Sequence, residues 1–177
     1  MQSKDQCRKV LLVVDVQEDA VGQSAKRPYK NTEEFIQNVN AMIAYCEQQD
    51  IPVLYIRHEV RNNFINRILW RNRFIEGTPG IQIDPRVKVV NSNIYSKNKG
   101  DAFTNPKLIS YFEKAGIDET IIIGLDAAAC VYHTSIGAQR RGYHPSVVAN
   151  AIITSDMGKM PRILERYRSK GISCIEG

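Results

Sequence analysis

Short, unbroken aliphatic runs are the feature of this sequence that most constrains its fold. We predict strands at the runs that cover residues 10–14, 52–56, 87–90, 120–124, 146–149 and 172–175. The strongest of them are apolar at every position instead of at every second one, so they fit strands that are covered on both faces. Strands of this kind belong to parallel sheets with helices on either side.

Helical periodicity separates most of these runs. We predict helices over residues 31–50, 105–116, 128–141 and 159–168. The first has a capping-box-like start at Asn31 with Glu34, and the second starts at Asn105 with a proline in the first helical position. The stretch 58–84 has no clean period and is interpreted as a long excursion over one face. Alternating strands and helices predict an α/β fold with a mostly parallel, doubly wound sheet and helices on both faces.

Length and composition exclude several classes of protein. The 177 residues predict one compact domain, and the net charge of +5 is mild. Cys7, Cys46, Cys130 and Cys174 have no CxxC spacing, so neither a disulfide framework nor a zinc ribbon is indicated. A polar N-terminus and the lack of a long apolar window predict a cytoplasmic protein with no membrane partner. The charge comes with no nucleic-acid motif, and no glycine-rich phosphate loop follows the first run.

Charged and nucleophilic side chains follow the predicted strands. Asp15 closes the first, His58 follows the second, Lys97 follows the third, and Cys130 comes shortly after the fourth. The carboxyl ends of parallel strands meet at one edge, where such sheets bind their ligands. Cys130 lies at a predicted helix start, where free N–H groups favour a thiolate, so we expect a cysteine nucleophile. A buried structural cysteine, an aspartate that caps a helix and a solvated lysine are the alternatives.

Four motifs in register carry a resemblance to a known family. They are LLVVDVQ at 11–17, GTPG at 77–80, Lys97 followed by DAF at 101–103, and GLDAAACV at 124–131 with Thr134 and Ala138. Over about residues 10–156 this pattern resembles the isochorismatase-like cysteine hydrolases. The resemblance implies a three-layer α/β/α sandwich with a mostly parallel six-stranded sheet, formed as a single domain over 1–177.

The resemblance also implies the site residues. The catalytic triad falls on Asp15, Lys97 and Cys130, and a cis peptide falls between Leu125 and Asp126. The backbone amides of Asp126 and Cys130 would then form the oxyanion hole. We expect the substrate to be a small molecule that is cleaved through a thioester at an amide, carbamoyl or related bond. A homo-oligomer, either a dimer or a tetramer, is expected.

Some residues depart from the family pattern or leave choices open. Ala20 stands where the family often has an aromatic residue, and Ala127 with Ala128 replaces a threonine and an acidic residue. Metal-dependent relatives carry an aspartate and two histidines after the second strand. This chain offers His58 with Glu59 there, so we expect no metal and no cofactor.

The substrate pocket and the competing functions complete these expectations. Residues expected to line the pocket are Gln17, Phe64, Trp70 and Tyr95. The aromatic residues of the 58–84 excursion could instead bury that loop against the rest of the domain or against a second subunit. The arginines of the excursion could face an anionic substrate, solvent or an interface. His133 offers a Cys–His pair as an alternative base. A vinyl-ether hydrolase and a catalytically silent binding module of the same fold are the competing functions.

Overall fold

The computed structural model describes residues 8–23, 25–26 and 29–177, and its centre is one six-stranded sheet. The strands are β1 (Lys9–Val14), β2 (Val53–His58), β3 (Ile94–Lys97), β4 (Glu119–Leu125), β5 (His144–Ile153) and β6 (Ser173–Ile175). All neighbours are parallel, in the order β3-β2-β1-β4-β5-β6. This is the strand order of a doubly wound sheet, so the predicted fold class is confirmed.

Helices cover both faces of the sheet. They are α1 (Glu18–Val21), α2 (Thr32–Gln48), α3 (Phe64–Leu69), α4 (Pro106–Ala115), α5 (Cys130–Arg140) and α6 (Met160–Ser169). Single 3₁₀ turns lie at Pro79–Ile81, Ala102–Thr104 and Met157–Lys159. No helix within the described ranges is both long and apolar enough to cross a bilayer.

The two apolar layers follow from alternation along the central strands. Leu11 and Val13 of β1 pack into the layer that contains α2, whereas Leu12 and Val14 pack into the layer of α4, α5 and α6. Successive side chains of a strand point to opposite faces, so a run that is apolar throughout feeds both layers at once. The result is the three-layer sandwich that the sequence predicts.

The third strand was predicted in the wrong place. Residues 87–90 form no strand, and β3 follows them at Ile94–Lys97. Val87 is apolar because it is buried in the α2 layer. Side chains hold the neighbouring backbone: the N–H of Lys88 donates to the side chain of Asn40 at 2.7 Å, and the N–H of Val90 donates to the Tyr55 hydroxyl at 3.1 Å.

One of the two predicted helix caps is wrong, and the other is present in the structure. Asn31 makes no capping bond from its side chain because it lies in the left-handed region, with φ 57°, so the capping-box prediction is wrong. The Asn105 carboxamide does cap α4, where it accepts from the N–H of Lys107 at 2.8 Å. Helix α5 begins at Cys130, two residues after its predicted start, since the preceding residues form a turn.

The excursion from β2 to β3 covers the α2 side of the sheet. Trp70, Phe74 and Val87 pack against that layer. Helix α3 contributes no buried residue, and its large apolar side chains are exposed at Phe64, Ile65, Ile68 and Leu69. The excursion therefore has an inner aromatic part and an outer apolar helix.

Candidate active site

The carboxyl ends of β1 and β4 form the crevice of this fold, because the direction of the strand order reverses between them. At this point the two backbones approach closely. Gly124 has φ 118°, and a Cβ placed there would lie 2.0 Å from the carbonyl oxygen of Val14. Only glycine fits such an approach. Asp15 follows β1 at this edge, and Cys130 begins α5 beyond the end of β4.

A buried ion pair links the end of β1 to the end of β3. Lys97 Nζ lies 2.7 Å from Asp15 Oδ2, and the two side chains are 0% and 5% exposed. Burial acts to lower the pKa of Lys97, but the carboxylate of Asp15 and the thiol of Cys130 outweigh it and raise the pKa. The lysine is therefore held as an ammonium without water around it.

The thiol of Cys130 lies beside this pair. Its Sγ, one carboxylate oxygen of Asp15 and one ring nitrogen of His58 all lie within 4.8 Å of one another. Burial, followed by the charge of Asp15, raises the pKa of Cys130 to about 12, and Lys97 opposes this shift. The resting group is thus a thiol. The helix start alone predicted a thiolate, but this environment favours the protonated thiol. The proton of Cys130 therefore needs an acceptor nearby.

His58 is the member of the cluster whose role the sequence did not reveal. It is 4% exposed, and its Nδ1 lies 3.3 Å from Lys97 Nζ. Burial and the Lys97 ammonium lower the pKa of His58 to about 4, so the imidazole is neutral at pH 7. Its position in β2, paired with Lys97 of β3, is the signal that could have identified it.

Asp15, His58 and Cys130 also form a set of groups that could hold a metal ion. Carboxylate, imidazole and thiolate are suitable zinc ligands. The ammonium of Lys97 lies 2.7 Å from Asp15 Oδ2 and 3.3 Å from His58 Nδ1, so it already supplies a positive charge to two members of the set. The cluster therefore fits an internal ammonium better than it fits a divalent cation.

The carboxylate of Asp126 organises the turn that leads into α5. The peptide bond between Leu125 and Asp126 is cis. The side chain of Asp126 accepts hydrogen bonds from the N–H of Ala128 at 2.7 Å, from the Tyr29 hydroxyl at 3.1 Å and from the Thr154 hydroxyl at 3.2 Å. These bonds join the ends of β4 and β5 to the segment before α2.

Two backbone amides of this turn are free. The N–H of Ala127 donates to a carbonyl of β5, and the N–H groups of Ala129 and Val131 donate to the carbonyl of Asp126. Within the described part of the chain, the N–H groups of Asp126 and Cys130 have no acceptor. Two unpaired donors in the turn that leads to Cys130 are the kind of group that can bind an oxyanion.

Helix α5 is attached to the segment that follows Lys97. The hydroxyl of Thr134 accepts from the N–H of Ala102 at 3.1 Å and lies 3.3 Å from the carbonyl of Gly100. One turn on, Gly137 faces the side chain of Asp101, where a Cβ would lie 2.3 Å from a carboxylate oxygen. These contacts fix the segment that follows Lys97 relative to α5, the helix that begins at Cys130.

Two predicted pocket residues lie elsewhere in the structure. The carboxamide of Gln17 is fully buried, donates to the carbonyls of His58 and Ile81, and accepts from the N–H of His58. Gln17 therefore ties strand ends together and has no polar atom left for a substrate. Phe64 is 78% exposed because α3 lies on the outer side of the excursion.

The other two pocket residues and His133 are placed as follows. The ring of Trp70 lies 4.4 Å from that of His58, next to the cluster. Tyr95 lies on the α4 side of β3, where its ring packs 6.3 Å from Tyr111. His133 is exposed, and its ring lies against Gly100. The histidine that reaches the reactive cluster is therefore His58.

The other two cysteines in the described part of the chain pack against apolar residues. Cys46 is buried in the α2 layer, and burial raises its pKa to about 11. Cys174 is half-buried and lies 3.7 Å from the carbonyl of Leu164. Cys7 lies outside the described residues.

Three curated proteins match between 68% and 83% of this chain. The chain is 24% identical to the uncharacterized isochorismatase family protein YddQ of Bacillus subtilis over 148 residues, or 83% of this chain and 78% of that protein. It is 23% identical to a probable inactive nicotinamidase of Arabidopsis thaliana over 144 residues, with 75% of this chain and 74% of that protein covered. N-carbamoylsarcosine amidase of an Arthrobacter species is 28% identical over 131 residues, which cover 68% of this chain and 50% of that protein.

Solved structures and a family model also match this chain. An isochorismatase-like hydrolase from Alkaliphilus metalliredigens has the same fold, with a TM-score of 0.86 at 20% identity over 96% of this chain and 95% of that one. The family model described as the isochorismatase domain matches residues 9–176. The chain therefore belongs to the isochorismatase family.

Proposed function

We propose that this protein is a cysteine hydrolase that cleaves a small amide or carbamoyl compound through Cys130, with Asp15 and Lys97 as its charged partners. The observation that carries the proposal is the buried Asp15–Lys97 ion pair beside the thiol. Burying two charges is costly unless they are paired, and a structural cysteine needs neither of them. The similarity to N-carbamoylsarcosine amidase adds support for the C–N bond as the target.

The first step is a proton transfer within the cluster. Asp15 takes the proton of Cys130, and the thiolate attacks the carbonyl carbon to form a C–S bond. Lys97 remains an ammonium throughout and stabilises whichever neighbour carries the negative charge. Because burial raises the pKa of the thiol, its proton has to pass to Asp15 as the sulfur attacks.

The second half of the reaction returns the proton. Negative charge on the former carbonyl oxygen is stabilised by the free N–H groups of Asp126 and Cys130. As the C–N bond breaks, protonated Asp15 gives its proton to the leaving amine, which leaves a thioester on Cys130. Asp15 then deprotonates a water molecule that cleaves the thioester, and the acid product departs with the thiol restored.

The test is an ammonia-release screen on small amides, ureas, N-carbamoyl amino acids and nicotinamide, with the wild type, Cys130→Ala and Cys174→Ala. Cys174 is the matched control because it is also half-buried and free. We expect Cys130→Ala to lose at least about a thousandfold in rate, and Cys174→Ala to keep the wild-type rate. Retained activity in Cys130→Ala would exclude the thioester scheme.

A catalytically silent module is the second candidate, because one relative is a probable inactive nicotinamidase. The two candidates differ in the reactivity of the thiol. Burial raises the pKa of both thiols, but in a hydrolase Asp15 accepts the proton of Cys130 as iodoacetamide reacts. Alkylation should then be faster at Cys130 than at Cys174, and this preference should vanish in Asp15→Asn. Equal labelling of both cysteines would favour the silent module.

A further inference from the structure

The ammonium of Lys97 has three N–H bonds, and side chains from two other parts of the fold lie within hydrogen-bond distance of it. One donates to Asp15 Oδ2 at 2.7 Å, and a second faces His58 Nδ1 at 3.3 Å. The third is left for Cys130, whose thiol lies close enough to raise the pKa of Lys97. The contacts with Asp15 and His58 therefore set the direction of this third N–H bond.

His58 can only be an acceptor toward this ammonium. Lysine donates three hydrogens and accepts none, so Nδ1 must carry the lone pair and the ring proton must be on Nε2. Among the described residues, Nε2 has no hydrogen-bond partner. Its surroundings are aromatic, with the Trp70 ring at 4.4 Å and the Phe74 ring at 5.5 Å.

The imidazole is held rigidly in that role. The backbone N–H of His58 donates to Gln17 Oε1 at 2.7 Å, and its carbonyl accepts from Gln17 Nε2 at 3.0 Å. The parallel pairing of β2 and β3 places His58 directly opposite Lys97. A proton on Nδ1 would point at the ammonium, and a charged ring would bring a second cation against it. Both the backbone and the charges therefore favour the neutral acceptor form.

We propose that His58 is a positioning residue for Lys97: the neutral imidazole of His58 accepts one N–H bond of the ammonium and so directs the other two at Asp15 and Cys130. This inference rests on the proposed function of the Asp15, Lys97 and Cys130 cluster. His58 itself touches neither substrate nor reacting atoms in this scheme. Its effect is on how well Lys97 stabilises the thiolate.

The test compares two isosteric replacements, His58→Asn and His58→Leu. Asparagine keeps a hydrogen-bond acceptor at the δ position, whereas leucine has a methyl group there, and both leave the same space beside Trp70. The measurement is the rate of iodoacetamide alkylation at Cys130 as a function of pH, a reaction in which the thiolate displaces iodide. It needs no substrate, and thermal unfolding of each variant reports the fold.

We expect the conservative His58→Asn variant to stay within about threefold of the wild-type rate. His58→Leu should be at least about tenfold slower at pH 8, with its profile moved to higher pH, because one hydrogen bond to a charged group is lost. Equal slowing in the two variants would mean that His58 only fills space, and an unchanged rate in His58→Leu would overturn the inference as well. A Cys130 that is unreactive in the wild type would instead refute the proposed function.

A second measurement on the wild type does not depend on any variant folding. Nitrogen-15 NMR of labelled histidine separates the two neutral tautomers from the imidazolium. The inference requires His58 to be the Nε2–H tautomer at pH 6. Observation of the Nδ1–H tautomer or of an imidazolium at that pH would overturn it. His133→Asn and His144→Asn assign the signals of the other two histidines.

Discussion

Lys97 and Asp15 meet at 2.7 Å with side chains that are 0% and 5% exposed, which sets this pair apart from the ion pairs at the surface. The pair between Lys159 and Asp156, for example, has side chains that are 71% and 55% exposed. An exposed pair contributes up to about 1 kcal/mol, whereas breaking a buried pair costs about 3–5 kcal/mol because one charge is left without a partner. The two pairs should therefore respond differently to the same chemical change.

The change from Asp15 to asparagine should lower both stability and activity. Lys97 would lose the carboxylate that holds its proton, and Cys130 would lose its proton acceptor. We expect the free energy of unfolding to fall by about 3–5 kcal/mol and the hydrolysis rate by at least about a thousandfold. Urea unfolding and ammonia release are the measurements. Asp156→Asn is the control and should change stability by less than about 1 kcal/mol. Equal stability losses in the two variants would contradict the role of burial.

His58 should make the protein less stable in mild acid. Its pKa is lowered from 6.5 to about 4 in the folded state, so the unfolded chain binds a proton between these values and the folded chain does not. Stability from this group is complete above about pH 6.5 and declines as the pH falls toward 4. At pH 4.5 the loss amounts to about 2–3 kcal/mol.

The measurement is urea unfolding at pH 7.5 and at pH 4.5. His58→Asn has no titrating ring, so its loss between the two pH values should be smaller than that of the wild type by this amount. His133→Asn removes an exposed histidine and should behave as the wild type does. If the wild type and His58→Asn show the same pH dependence, the neutral buried imidazole is not the cause.

The change from Thr134 to valine tests the link between α5 and the segment that follows Lys97. Valine keeps the shape of threonine but leaves the buried N–H of Ala102 without an acceptor, which costs about 1–3 kcal/mol. We also expect a lower kcat, because the Lys97 segment would shift relative to Cys130.

Ser135 provides the matched control on the same helix. Its buried hydroxyl donates only to the carbonyl of Val131 within α5, so Ser135→Ala should cost less than about 1 kcal/mol and leave kcat unchanged. The comparison uses thermal unfolding and steady-state kinetics. Similar kcat values for Thr134→Val and the wild type would show that the link is structural only.

Trp70 and Phe64 belong to the same excursion but should differ in their effect on substrate binding. Trp70 packs against His58 beside the cluster, whereas Phe64 is 78% exposed. We expect Trp70→Ala to raise KM by about tenfold or more through the loss of an apolar wall, and Phe64→Ala to leave KM unchanged. Once a substrate is known, initial rates decide this, and a larger effect at Phe64 would reverse the assignment.

Much of the fold was predictable because the central strands are buried on both faces. Every residue of the run 10–14 is buried, and so are most residues of β2, the next strand along the chain. The edge strand β3 was misplaced, since a strand with one neighbour and polar residues such as Ser96 has no such pattern. Val87 was apolar for a different reason, its burial against α2.

The site was predictable to the extent that it depends on strand ends. Asp15, Lys97 and Cys130 follow from that rule and from the family motifs, and the structure brings them together. The sequence placed His58 at a strand end but did not predict the role proposed for it, because that role depends on the register between β2 and β3 and on which ring nitrogen faces Lys97. Gln17 was misassigned because a strand end can also be occupied by a side chain that binds only backbone.

The groups proposed to react and the aromatic residues beside them come from different parts of the chain. The groups that we propose to react lie just after β1, in β3 and at the start of α5, whereas Trp70 and Phe74 come from the long connection between β2 and β3. A connection on the surface can change in length and sequence at little cost to the sheet. The proposed function therefore allows substrate preference to change through this one connection, while Asp15, Lys97 and Cys130 at the strand ends stay the same.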